Sequence, residues 1–149
     1  NNIPIRPLKG QIIRLKSDQK INLGFHWGSN YVTLKQDGLI WAGTTEEDVG
    51  FDEIPTLEAR NEILSSVVEI FPFLEDSQLI HQTACLRPLT VDKLPIISQS
   101  NIYNNLFIGS GAGRQGILLG PGMGKILSDL ITSETSEIDI KDFSHLRFS

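Results

Sequence analysis

The chain has 149 residues, which is room for about one domain. With 13 Lys and Arg against 18 Asp and Glu its net charge is −5, so it lacks the basic excess by which a nucleic-acid-binding domain is recognised. Hydrophobic residues at 40% and charged residues at 21% exclude a disordered chain, and no apolar run approaches the ~20 residues that cross a bilayer. A single cysteine, Cys85, permits no intrachain disulfide and points to a cytoplasmic location. The sequence opens Asn1-Asn2-Ile3-Pro4, without initiator Met or signal peptide, and is expected to be a piece of a longer protein.

Residues 3–8 carry two prolines and read as an extended lead-in, followed by a short β-prone segment at 11–15. Residues 21–27 alternate apolar and polar side chains at period two, as a half-buried strand does. Residues 31–36 and 39–44 flank Asp37-Gly38, a hairpin signal whose favoured type I′ turn needs φ > 0 at both central positions. Thr56 is placed to cap a helix over 57–71, Glu58 suits its positive end, and Pro72 stops it. Leu64, Val67, Val68 and Phe71 fall at i, i+3, i+4 and i+7, with Ile63 and Ile70 widening the apolar stripe, a pattern of core packing. Residues 77–86 read as another strand, and 87–97 as a proline-punctuated stretch.

A short strand at 106–108 leads into the glycine run 109–116, and a helix from Ile117 or Pro121 to Thr132 follows. Met123, Ile126, Leu127, Leu130 and Ile131 give this helix an apolar stripe, while Gly116, Gly120 and Gly124 share another face. Gly111-x-Gly113-x-x-Gly116 formally matches the dinucleotide fingerprint, and a helix N-terminus behind glycines suits an anion. A Rossmann unit also needs a second parallel strand ending in an acid ~20 residues on. Only Ile138-Asp139-Ile140 is available, so a complete Rossmann domain cannot be built from this chain, and the glycines read sooner as a plain helix-capping loop. Arg87 at a strand end and Arg114 inside the glycine run could each grip a carboxylate bidentately, or satisfy loop carbonyls. His26, His81, His145 and Cys85 show no metal-ligand spacing, and no pair of acids stands out as a catalytic dyad.

Four segments, in order, resemble the C-terminal half of the FAD-dependent D-amino-acid oxidase superfamily, nearest to its glycine oxidase and sarcosine oxidase-like members. Pro7-Leu8-Lys9-Gly10-Gln11 resembles Pro-x-Arg-Gly-Gln, and residues 31–46 with Gly50-Phe51-Asp52 resemble the family hairpin. Leu86-Arg87-Pro88-Leu89-Thr90-x-Asp92-x-x-Pro95-x-Ile97 is similar to Leu-Arg-Pro-x-Thr-x-Asp-x-x-Pro-x-Ile-Gly. Residues 111–121 resemble Gly-His-x-x-Asn-Gly-Ile-Leu-Leu-Ala-Pro. Lys9, Ser98, Ala112 and Gln115 stand where that pattern has Arg, Gly, His and Asn.

The resemblance implies an α+β fold: a mostly antiparallel sheet with a helix on one face, plus a strand–helix piece of the FAD domain. It implies a substrate-binding domain over 1–100 and a return segment of the FAD domain over 101–149, with the N-terminal FAD-binding half as the missing partner. The implied reaction is oxidation of the C–N bond of a small amino acid or amine (glycine, a D-amino acid or a sarcosine-like compound) to an imine, with electrons passing to FAD and then oxygen. Arg87 and Tyr31 would hold the substrate carboxylate, and Arg114 would lie between flavin and substrate. Gly111, Ala112, Gly113, Arg114, Gln115, Gly116, Ile117 and Leu118 would hold the flavin, which the isolated chain would bind weakly. Phe107, Met123, Leu127 and Leu130 would then lack their normal cover. No nucleic acid, metal or membrane span is expected, and a homo-oligomer is compatible with this reading. The competing expectation is a binding or assembly module that keeps the fold without catalysis.

Overall fold

The computed structural model describes residues 3–19, 21–133 and 135–148. The chain divides into two compact units, Lys9–Leu86 and the pair of segments Asn1–Leu8 and Arg87–Ser149. A five-stranded antiparallel sheet has the order β2-β3-β4-β1-β5, from β1 (Ile5–Lys16), β2 (Phe25–Trp27), β3 (Asn30–Leu34), β4 (Ile40–Gly43) and β5 (Gln78–Thr90). Register places Ile13 opposite Ala42 and Leu15 opposite Ile40, while Val32 and Leu34 face the same two residues from β3. One face of the sheet is therefore aliphatic. Helix α1 (Leu57–Ile70) covers it through Ile63 and Val67, and Leu74 closes the core. Thr56 caps α1 by accepting the Ala59 N–H at 3.3 Å. Ser66 Oγ accepts from Trp27 Nε1 and Asn30 Nδ2, at 3.2 and 2.8 Å, which pins the β2–β3 hairpin to the helix.

Several expectations shift in detail. The lead-in and the first short strand are one continuous β1. The strand expected over 21–27 is only three residues long: Ile21 is buried, but Leu23 turns out to solvent and ends the alternation. In the β3–β4 turn only Gly38 has positive φ (76°), so the turn is not type I′. Gly38 N–H donates to Lys35 O and Lys35 N–H to Leu39 O, both at 3.0 Å, which makes a three-residue loop with a glycine bulge. Asp37 accepts Leu39 N–H and Trp41 Nε1, each at 2.9 Å, and these two bonds, the first above all, hold its carboxyl below its ordinary pKa. Ile70, expected in the α1 stripe, is exposed.

A buried polar network fastens the segment between β4 and α1. Gln11, fully buried, donates from Nε2 to both Glu47 carboxylate oxygens (2.9 and 3.1 Å) and accepts Thr56 N–H and Gln82 Nε2 on Oε1 (2.9 and 3.0 Å). Lys9, equally buried, donates to Asp52 at 2.8 Å and lies 3.8 Å from Glu47. The Lys9 hydrogen bond, followed by that from Ile54 N–H, holds the Asp52 carboxyl below its ordinary pKa.

In the other unit, β6 (Ile96–Gln99) pairs antiparallel with β7 (Phe107–Ser110), and α2 (Gly116–Ser133) packs on both. The contact division at Leu86/Arg87 keeps β6 in one unit with its partner β7. Helix α2 starts at Gly116, earlier than expected, and runs through Pro121. Phe107, Met123, Leu127 and Leu130, expected to lack their normal cover, are half-buried and Ile126 is buried, because α2 packs on β6 and β7; Leu127 fills the space that a side chain on Gly109 would take. The exposed apolar residues of α2 include Ile117 (95%), Leu118 (81%) and Ile131.

The C-terminal tail is held at two points. Ser98 Oγ lies 2.8 Å from His145 Nδ1 and accepts His145 N–H at 3.2 Å, while His145 Nε2 lies 3.0 Å from Asn101 Oδ1. Arg147 grips Asp92 through Nε and Nη2, at 2.7 and 3.1 Å. The Arg147 hydrogen bonds, helped by Leu94 N–H, hold the Asp92 carboxyl down at about 2 from its ordinary 3.8.

Replacing Gln11 by Glu should keep the Thr56 bond but set carboxylate against Glu47, costing roughly 2–4 kcal/mol in denaturant unfolding. A loss under half a kilocalorie would show that the network does not hold the loop. For Asp92 the folded pKa is depressed, so its stabilisation is full above about pH 4 and is lost as pH falls through about 2. The stability gap between the natural protein and Asp92→Asn should therefore close over that window; a gap constant from pH 5 to 2 would remove the charge from the clasp.

Candidate functional site

The end of β5 and the glycine run lie against each other within one unit. Leu89 bridges Ala112, and Thr90 N–H donates to Gly111 O at 3.3 Å. Gly111 (φ 84°) and Gly113 (φ 54°) have backbone conformations that side chains resist. A Cβ on Gly111 would stand 2.5 Å from Thr90 Cγ2, and one on Gly113 2.8 Å from Leu89 Cδ1. Both glycines are thus required twice over, by conformation and by contact. A 3-10 turn over Gly113–Gln115 then delivers the chain into α2, with Gly116 N–H donating to Gly113 O.

Beside this loop runs a groove of about 370 Å³, lined by Pro88, Gly111, Gly113, Gly116, Gly120 and Met123 among others. Side chains on Gly120 or Gly124 would meet nothing within 4 Å and would project into open space. Among the described lining residues only Ser110 carries a side-chain hydroxyl, and none is acidic or basic. The groove therefore offers a ligand mainly backbone and apolar surface, and among the described residues it has no lining group for acid–base chemistry. An apolar cradle that added Cβ atoms would narrow suits a flavin ring. The first N–H groups of α2, those of Ile117 and Leu118, have no carbonyl within the helix four residues back, so they suit an electron-rich edge.

The sequence-predicted residues are divided between the units. Residues 111–118 form the loop and the start of α2, Arg114 is exposed at the centre of the 3-10 turn, and Arg87 is half-buried on β5 next to Pro88. Tyr31 belongs to the other unit, on β3, stacked on His26 with ring centres 5.8 Å apart. The formal dinucleotide fingerprint has a strand before it and a helix after it, but β7 pairs antiparallel with β6, which is not Rossmann geometry. A cavity of about 380 Å³ in the unit of Tyr31 is lined by Lys16, Asp18, Phe73, Asp76 and others, and contains none of the predicted residues. Sequence reasoning missed the Ser98–His145 and Asp92–Arg147 pairs. The tail has no periodicity to betray them, although the fixed spacing around Asp92 carried a signal. Ser98 and His145 line neither cavity and act as a latch. Among the described residues no group of His, Cys, Asp and Glu could hold a metal ion, and no helix is long and apolar enough to cross a membrane.

Gly111→Ala should lower stability by roughly 1–3 kcal/mol in thermal unfolding. Gly120→Ala, in open space on a helix, should raise it by up to about 1 kcal/mol. The reverse order would show that the loop does not rest on Thr90.

Comparison with known proteins adds the family context. A family model described as FAD dependent oxidoreductase matches residues 1–130. The chain is 33% identical to a glycine oxidase of Pseudomonas aeruginosa over 92% of its own length and 38% of that enzyme. It is 30% identical to a D-amino acid dehydrogenase of Neisseria gonorrhoeae over 99% of its length and 36% of the relative. The solved glycine oxidase of Geobacillus kaustophilus superposes with a TM-score of 0.87 at 23% identity, over 96% of this chain and 39% of that one, a likeness of fold. The chain thus spans under two fifths of the length of these relatives.

Proposed function

The chain belongs to the FAD-dependent oxidoreductase family, and on that footing we propose that it supplies the substrate-binding part and one flavin-facing loop of an enzyme oxidising the C–N bond of a small amino acid or amine. The observation that carries this reading is the groove at the start of α2, lined by glycine backbone and devoid of acid–base groups. FAD, when bound, supplies the chemistry by accepting a hydride from the substrate carbon, which leaves an imine; oxygen is the proposed final acceptor. The names of the relatives, an oxidase and a dehydrogenase of amino acids, support the substrate class.

The chain's own residues bind and orient. The backbone of Gly111, Ala112, Gly113, Gln115 and Gly116 would hold the flavin, and the Ile117 and Leu118 N–H groups at the positive end of α2 would supply donors for an electron-rich edge. Arg87 holds the substrate carboxylate with two parallel hydrogen bonds, a geometry that only a guanidinium provides. Tyr31 would be the second substrate-binding residue, and Arg114 would serve between flavin and substrate. Ala112, where the family pattern has His, leaves this position without an imidazole. The remaining contacts to FAD come from an N-terminal half outside this chain, in keeping with the partial coverage of the relatives. On this reading residues 1–100 serve the substrate and 101–149 the flavin, in a cytoplasmic protein.

The test is made on the full-length protein with glycine, sarcosine and D-alanine as substrates. It should purify with bound flavin, while the 149-residue chain alone takes up FAD weakly in a spectral titration. Arg87→Ala should lose roughly 2–5 kcal/mol in kcat/KM, with Arg87→Lys recovering only part. Unchanged oxidation by Arg87→Ala removes Arg87 from the site, and a full-length protein without flavin or turnover favours an assembly module.

A further inference from the structure

The last turn of the chain reaches the glycine loop through a continuous set of hydrogen bonds. Besides gripping Asp92, Arg147 donates from Nη2 to Leu94 O at 2.7 Å. The same carbonyl accepts the Thr90 hydroxyl at 2.6 Å, and Asp92 accepts Leu94 N–H at 3.1 Å, so the 90–94 turn is tied from within and from the tail. Thr90 N–H then donates to Gly111 O, and Thr90 Cγ2 occupies the place of the missing Gly111 side chain. Arg147 is itself tethered: Nη1 donates to Ser144 O at 3.1 Å, and the neighbouring His145 is latched to Ser98 and Asn101.

From this geometry we propose that Arg147 is a positioning residue: by fixing the Asp92–Leu94 turn it sets Thr90, and through Thr90 it places Gly111 and the loop behind it. The inference rests on the reading above that this loop holds the flavin. Two features make the route effective. Thr90 is fully buried and bonded to Gly111 O through its N–H, beside the Leu89–Ala112 bridge, so a shift of Thr90 is passed to the loop. The guanidinium reaches Asp92, Leu94 O and Ser144 O together in one fixed plane, which an ammonium on a flexible stem cannot reproduce. Arg147 would therefore tune a site that it does not touch.

The experiment uses the full-length protein, both stripped of FAD and loaded with it, as Arg147→Ala and Arg147→Lys. Amide hydrogen exchange is followed at residues 111–116 and 140–148, together with the visible circular dichroism of bound FAD. In the stripped protein Arg147→Ala should speed exchange at 111–116 roughly tenfold, the scale of one lost hydrogen bond to a charged group, with Arg147→Lys intermediate. In the loaded protein the flavin dichroism should change in the same order. Faster exchange confined to 140–148 in both variants overturns the proposal, and if the alanine variant does not fold, the lysine variant decides alone. Faster loop exchange with an unchanged flavin spectrum upholds the positioning role and instead removes the flavin from this loop.

Discussion

The contact between Thr90 and Gly111 is the constraint on which the candidate site depends. The Thr90 side chain leaves no room for a Cβ on Gly111, and positive φ at Gly111 and Gly113 turns the chain away from β5 and into α2. Because Leu89 and Thr90 are buried, the loop has a fixed floor, and the groove beside it keeps its form through covalent and steric limits more than through side-chain interactions. The glycine signature therefore has a structural cause that holds whether or not a ligand is bound. A ligand adds a reason for the further glycines, Gly120 and Gly124, which no contact within the described residues requires.

The unit of Lys9–Leu86 solves a different problem with different means. Its aliphatic core needs only alternation and one amphipathic helix, but the segment from β4 to α1 is irregular and its backbone polar groups must still be satisfied. Gln11 Oε1 accepts Thr56 N–H and the Lys9 backbone pairs with Glu47, while their side chains hold the Glu47 and Asp52 carboxylates, all from β1, where an alternating pattern would place apolar side chains. Lys9 for the family's Arg keeps the charge at that position and still reaches Asp52 and Glu47. Above this tied base, Phe51 and Ile54 stand exposed.

What the sequence made legible follows from how local each cause is. The β3–β4 hairpin and α1 were readable because alternation, Thr56 and Pro72 act within a few residues. The turn type was not, because Asp37 finds Leu39 N–H and Trp41 Nε1 as partners and stays at negative φ. The glycine loop was readable as a place, since Gly111, Gly113 and Gly116 have local signatures, but the reason for the first two lies 21 or more residues away in Leu89 and Thr90. The tail was opaque for the same reason: Asp92 and Arg147 are 55 positions apart, and nothing near either announces the other.

Helix α2 shows the cost of the groove and hence its importance. Gly116, Gly120, Gly122 and Gly124 lie in a single helix with Pro121, and an interior glycine weakens a helix by roughly 1 kcal/mol relative to alanine. Such a helix would not persist on its own propensity. It is kept by burial of Ile126 and Leu127 on β6 and β7, and to a small degree by the exposed Lys125–Asp129 pair at 2.6 Å. The stabilising residues sit in its second half, and the destabilising ones crowd its first half, at the groove. A sequence under selection for stability alone would place alanines there. Their absence, together with a lining that offers backbone but no titratable side chain, is what supports the proposal that this part of the chain holds a ring whose chemistry comes from the ring itself.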